Sequence, residues 1–551
     1  MKRIRLSLMF WLALLVVHGP ATAQEIGWKG SGKGGAVAAG RGEAVAAGIS
    51  ILEQGGNAAD AAVATLLALS ITDYGSFCIG GEVPFMIYDA RKGEVKVLCG
   101  MGRAPLDPKA IEWYYKNGIP SKGGIRQAPV PGPVSLFCKA LQLYGTMSFE
   151  QTAKPALALL DANRQEWYPN LAVTLRKLIQ TEQSTSGSRL EKLQAVRDRF
   201  YKGDIADEME AFFIKSGGFL RKADFAAYET RVEDPVKVNY RGYTVCKCDT
   251  WTQGPFLCQT LRLLEGYDLK KMGHLSADYI HVCTEAMKLG LADRDMYYGD
   301  PLFVNVPLKA LLSDRYTVLR RPLINMARAS AEVRPGDPVA MKALKAGGVH
   351  TPGEGGTTTC TVIDRWGNMV AATPSANRPY THCDTLGVSF GTRLSSLNTT
   401  PKHPNRIEPG KRPRITLTPT IVLKNGKGIL AISVAGGDLQ DQTTLNCFLN
   451  FVEFGMLPEK AVTAPRFSTG HLEDSFNPDP DRTKTYKKLE SLTLSEGIVG
   501  SVQAELAARG HIIDISKGAI ANPIMIYRDP QTGMLHAAGD PKAGRHAAAL
   551  E

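Results

Sequence analysis

The run Gly355-Gly356-Thr357-Thr358-Thr359-Cys360-Thr361-Val362-Ile363-Asp364, followed by Arg365-Trp366-Gly367-Asn368 and Met369-Val370-Ala371-Ala372-Thr373-Pro374, decides the fold. A glycine pair enters a β-branched strand, a tight turn reverses it and a second apolar strand returns, so the spacing predicts a hairpin. Glycine on the acyl side of a peptide bond leaves its carbonyl unshielded and admits unusual backbone angles. A threonine hydroxyl just after it is placed to attack that carbonyl, shift the acyl group to oxygen and be freed by water. The new N-terminal threonine then carries an α-amine of pKa about 7.7–8.0, a base beside its own hydroxyl. By spacing alone the run also fits an ordinary loop end. If Asp364 opposes Met369, position 357 opposes 376, and Ser375 and Asn377 stand beside Thr357; a one-residue bulge would change which of them faces it.

Working outward, Ser433-Val434-Ala435-Gly436-Gly437-Asp438 closes a strand ahead of a helix. The N–H groups of Gly436 and Gly437 suit an oxyanion, the alternative being a plain turn. Asp438 reads first as an ordinary structural acid, with orienting that turn as the second reading. Asp293, Arg294 and Asp300 read as a structural salt-bridge set on and after a long helix, Ser276 to Tyr297.

The chain has 551 residues, 44% hydrophobic and 22% charged, which suits a large globular body and excludes disordered and disulfide-dense classes. Three charges of the net +11 belong to Lys2, Arg3 and Arg5, ahead of the apolar stretch Leu6 to Val17 and the small residues Ala21-Thr22-Ala23. That order reads as an export signal over residues 1–23, cleaved before Gln24, with a periplasmic or secreted product and no stable membrane insertion. The remaining Lys and Arg are spread along the chain without a basic stripe, so nucleic acid is not expected. The ten cysteines show neither a disulfide framework nor zinc spacing, and no metal is expected. Gly30 to Gly35 matches G-x-G-x-x-G but no strand precedes it, and it reads as a flexible mature N-terminus. Elsewhere helical stretches and antiparallel strands mix without βαβ alternation, which implies one α/β body.

The order of these motifs resembles the gamma-glutamyltransferases, members of the N-terminal nucleophile hydrolases. The resemblance rests on Thr357–Asn368, Gly410-Lys411-Arg412-Pro413 with Thr418-Pro419-Thr420, and Gly436-Gly437. It extends to Gly55-Gly56-Asn57-Ala58-Ala59-Asp60, Ala104-Pro105, Tyr240-Arg241-Gly242-Tyr243, Ala292-Asp293-Arg294 and Gly539-Asp540-Pro541. It implies a four-layer αββα sandwich and self-cleavage between Gly356 and Thr357. The products would be a large subunit, 24–356, and a small catalytic subunit, 357–551, joined as a heterodimer without a cofactor. By the same resemblance Thr357 is the nucleophile, Ser375 the hydroxyl that hydrogen-bonds it, Gly436 and Gly437 the oxyanion hole, and Asn377 a substrate contact.

The substrate positions depart from the family pattern and resemble its cephalosporin-acylase-like branch. Ser396 stands where an acid receives the substrate's α-ammonium, and Arg393 stands where a Gln or Glu is usual. Ile415 and Thr416 replace two serines. Met101 replaces the carboxylate-binding arginine, with Arg103 two residues away. Losing the acid and gaining Arg393 disfavours an ammonium and suits a carboxylate. The expected substrate is a small acyl amide, γ-glutamyl or related, with a glutaryl-like or N-blocked donor as the equal alternative, released to water or an amine. A γ-glutamyl donor would be held by other contacts, and a non-catalytic binding protein that keeps the fold stays open.

Overall fold

The computed structural model describes residues 25–343, 356–376 and 381–551. The proposed export signal, Asn377 and most of the loop ahead of Gly356 lie outside them.

Two seven-stranded sheets pack face to face. One runs His546–Leu550, Gly35–Ala39, Cys360–Asp364, Met369–Ala372, Val83–Asp89, Glu94–Gly100, Arg231–Glu233. The other runs Lys29–Gly32, Leu535–Gly539, Asn522–Arg528, Lys427–Ala435, Thr420–Lys424, Tyr243–Lys247, Val236–Tyr240. Strand alternation sorts the side chains into layers. Ile363, Met369 and Ala371 meet Ile421, Ala431 and Ile526 between the sheets. Cys360, Val362 and Val370 face outward under helices such as Gly42–Glu53 and Ala58–Thr72. Val422, Leu430 and Ile432 face outward under Gly254–Leu264, Ala277–Tyr297 and Gln440–Val452. The result is the expected αββα sandwich.

The hairpin is fixed from outside as well as by its own ladder. Helix Ala58–Thr72 is mostly apolar and buried from Ala58 to Ile71, as a helix roofed by another helix must be. Asn57 caps it in a box with Asp60. The Ala58 N–H donates to Asp364 Oδ2 at 2.9 Å, so a carboxylate from the hairpin turn sits at the helix N-terminus. The other Asp364 oxygen accepts from Trp366 and Asn368 N–H, which closes the turn.

One expectation fails here. Gly30 to Gly35 is not a flexible terminus: Lys29–Gly32 and Gly35–Ala39 are strands, one in each sheet. Its glycines answer a close backbone approach, since a Cβ on Gly32 would lie 1.9 Å from the Leu550 carbonyl oxygen. Among the described residues no helix is long and apolar enough to cross a membrane. All ten cysteines are buried free thiols.

Gly32→Ala should therefore lower stability by about 1–3 kcal/mol through overpacking. Gly500→Ala, with open space around its Cβ, should stay within about 0.5 kcal/mol. Denaturant midpoints of the two variants check both.

Candidate active site

The hairpin pairs Ile363 with Met369 and Cys360 with Ala372. The register is thus one residue from that expected, because the turn closes on Asp364 rather than opposing it to Met369. Thr357 consequently faces Ser375 across an antiparallel bridge. Thr357 is buried and its Oγ1 lies 3.4 Å from Ser375 Oγ, to which it donates. Ser375 Oγ in turn donates to the Gly356 carbonyl oxygen at 2.5 Å. The Gly356–Thr357 bond therefore already has a hydroxyl donor on its carbonyl.

Arg393 does not open onto solvent. Its Nη2 donates to Ser375 Oγ at 2.6 Å and its Nε to Glu82 Oε1 at 2.7 Å, and both partners of that ion pair are fully buried. Arg393 Nη1 is buried without a hydrogen-bond partner among the described residues. Burial pushes the Glu82 carboxyl above its ordinary range, with Arg393 opposing. Sequence reasoning missed Glu82, although a lone acid between Gly80-Gly81 and the apolar strand Val83–Asp89 is a signal that could have found it.

Gly436 and Gly437 both have positive φ, 147° and 59°, so the turn needs glycine twice. Among the described turn and loop hydrogen bonds, the Gly436 carbonyl accepts from Leu439, and neither glycine N–H is used as a donor. Phe476, also missed, lies between this turn and Arg393. A Cβ on Gly437 would stand 3.1 Å from its ring, and the Arg393 guanidinium lies over the same ring at 5.4 Å.

The other predicted residues are spread around this centre. Ser396 shares a short 3-10 turn with Arg393, and its buried hydroxyl has no partner among the described residues. The buried Thr416 hydroxyl is likewise unpartnered, on a segment whose Ile415 N–H bonds the Trp251 carbonyl. Arg103 is engaged elsewhere. Its Nη2 donates to the Ala227 carbonyl at 2.5 Å, and it lines a cavity of about 300 Å³ with Met101, Phe303 and Arg412. Among the described residues no cluster of His, Cys, Asp or Glu is arranged to hold a metal.

A sequence profile described as Gamma-glutamyltranspeptidase matches residues 44–163 and 164–550. The chain belongs to the gamma-glutamyltranspeptidase family. It is 32% identical to the glutathione hydrolase proenzyme of Pseudomonas sp. strain A14, over 78% of this chain and 80% of that protein. It is 30% identical to the acylase ACY 1 proenzyme of Pseudomonas sp. strain SE83, over 87% of each. Among solved structures, the cephalosporin acylase from Bacillus halodurans superposes with a TM-score of 0.79 at 25% identity, covering 98% of this chain and 100% of that one. A structure described as LmbA2991HD superposes with a TM-score of 0.84 at 30% identity, covering 97% and 99%. This gamma-glutamyltranspeptidase-family chain is thus an amidohydrolase or acyltransferase of the N-terminal nucleophile type, on the acylase-like side of its family.

The glycine turn of this family member is anchored by buried charge. Asp438 accepts from Arg294 Nη1 at 2.7 Å and Ser475 Oγ at 2.6 Å, and Lys487 Nζ lies 3.2 Å away. Arg294 also holds Asp295, while Asp300 clamps Arg412. Burial alone would raise the Asp438 carboxyl, but Lys487 and Arg294 overcome it and hold the group well below the usual carboxylate range. A folded pKa below the unfolded value near 3.9 gives stability that is present above pH 4 and lost on further acidification. Asp438→Asn should accordingly cost about 3 kcal/mol at pH 7. The gap from wild type should shrink in denaturant titrations at pH 3.

Proposed function

We propose that the chain is an exported precursor that cleaves itself between Gly356 and Thr357. The interlocked subunits 24–356 and 357–551 then transfer acyl groups from small amides to water or an amine. The observation that carries this reading is the Ser375 hydroxyl donating to the Gly356 carbonyl oxygen at 2.5 Å, with the Thr357 hydroxyl beside it. Relatives described as proenzymes support it. In turnover, the Thr357 hydroxyl attacks the substrate carbonyl and its freed α-amine takes the proton. The Gly436 and Gly437 N–H groups receive the oxyanion, and an ester on Thr357 is released by water or an amine.

The acyl group is one without a free α-ammonium, glutaryl-like or N-blocked. An ammonium near Arg393 would need an uncommitted carboxylate. The acid that touches Arg393, Glu82, balances the guanidinium's charge through Oε1, its Oε2 being buried without a hydrogen-bond partner among the described residues, and Ser396 offers only a hydroxyl. Leaving a buried ammonium unpaired costs several kcal/mol. Arg393 Nη1 and the Ser396 hydroxyl, both without a hydrogen-bond partner among the described residues, suit an acceptor oxygen on the donor. Asn377 and Arg103 are retained as candidate substrate contacts, and Thr416 as a third.

Intact-mass analysis of the purified protein should show two fragments divided at Gly356/Thr357. Thr357→Ala should give a single chain, and a split that persists in that variant would assign the cut to another protease. In a panel of amides, glutaryl and N-acyl donors should exceed free γ-glutamyl donors by at least about 100-fold in kcat/KM. Equal turnover of glutathione would overturn the substrate assignment. Because the base must be unprotonated, kcat/KM should fall as pH drops below the α-amine range of about 7.7–8.0.

A further inference from the structure

In the uncut chain the Thr357 nitrogen is an amide, so the α-amine that serves turnover does not yet exist. Cleavage needs another route for the Thr357 proton. Ser375 supplies one by geometry: its Oγ accepts from Thr357 Oγ1 at 3.4 Å and donates to the Gly356 carbonyl oxygen at 2.5 Å. What fixes Ser375 in that role is the ion pair behind it. Arg393 donates to the same Oγ at 2.6 Å and is itself held by Glu82 at 2.7 Å. Glu82 also grips the Ser375 backbone. Its N–H donates to the Ser375 carbonyl at 2.8 Å, and the Ser375 N–H donates back to the Glu82 carbonyl at 2.9 Å. Gly81 allows this approach, since a Cβ there would stand 2.3 Å from the Ser375 carbonyl oxygen. Residue 375 is therefore held at backbone and side chain by one buried pair.

We propose that the Glu82–Arg393 pair is a maturation device that holds Ser375 as the proton bridge for cleavage at Gly356. The inference rests on the reading that Thr357 cleaves its own chain. The step balances without an outside base. Thr357 Oγ bonds to the Gly356 carbonyl carbon and the C=O pair moves to oxygen. The Ser375 proton goes to that oxygen while the Thr357 hydroxyl proton goes to Ser375. The adduct collapses as its hydroxyl proton reaches the Thr357 nitrogen and the C–N bond breaks, and water then hydrolyses the ester to the Gly356 carboxylate and free Thr357. The guanidinium lowers the cost of negative charge on Ser375 Oγ during the transfer, and Glu82 keeps that buried cation paired. Arg393 and Glu82 are positioning residues; neither touches the reacting carbonyl.

The test uses the full chain made by cell-free synthesis, with cleavage followed by intact mass and folding by thermal melting. Arg393→Lys offers a point charge without the planar fork, and the double variant Glu82→Gln with Arg393→Gln keeps the volume without either charge. Both should cleave slower by about 100-fold or more. The double variant should melt cooperatively like the uncut Thr357→Ala chain, which separates lost maturation from lost fold. Wild-type cleavage should also give a curved dependence of rate on deuterium fraction, as two protons move together. Cleavage of a folded double variant at the wild-type rate, or a linear dependence in wild type, would overturn the device. If Thr357→Ala still cleaves, the self-cleavage reading fails first.

Discussion

The antiparallel ladder between Cys360–Asp364 and Met369–Ala372 is the constraint on which the rest depends. Side chains alternate faces along it, so its register decides both what enters the core and what meets Thr357. A slip of one residue would turn Ile363 from the layer between the sheets towards the helices and replace Ser375 opposite Thr357. Asp364 holds that register by closing the turn and anchoring helix Ala58–Thr72 at once. Packing of the central sheet and placement of Thr357 opposite Ser375 are thus one structural fact seen at two ends of a hairpin.

Around the reactive end the chain buries charge freely but not loosely. Arg393 meets Glu82, Arg412 meets Asp300, and Arg294 meets Asp295 and Asp438. Taking such ions out of water is expensive, and paired burial seldom adds much net stability. What it supplies is direction: each planar guanidinium fork fixes the groups it touches. The pairs stand where orientation matters, beside the Ser375 hydroxyl and behind the Gly436–Gly437 turn. The bulk charge of the chain, by contrast, has no part in the site.

Much of this was legible in the sequence because the signals were local. Threonine after two glycines, a β-branched strand, a turn and a returning strand lie within about twenty residues of one another. Mixed elements without βαβ alternation imply only one α/β body, and the four layers come with the family resemblance, while Asp293, Arg294 and Asp300 read locally as structural charges. The strand order was not legible, because neighbours such as Gly35–Ala39 and Cys360–Asp364 are far apart in the chain. Glu82 was missed for the same reason, and with it the ion pair that holds Arg393 against Ser375. The glycines near the N-terminus misled because they mark a close crossing of backbones, and composition cannot distinguish that from looseness.

That crossing has a mechanical consequence. Strand Gly35–Ala39 lies between His546–Leu550 and Cys360–Asp364 in one sheet, and Leu535–Gly539 lies against Lys29–Gly32 in the other. Segments from either side of residue 356 are therefore interleaved in both sheets. Opening the backbone there would create no new domain boundary, because no plane through the molecule separates the two pieces without breaking ladders. Covalent continuity at that point can be surrendered at little cost to cohesion. The two segments form a single woven fabric, and a chain end opened at the centre of the weave would inherit the rigidity of the whole.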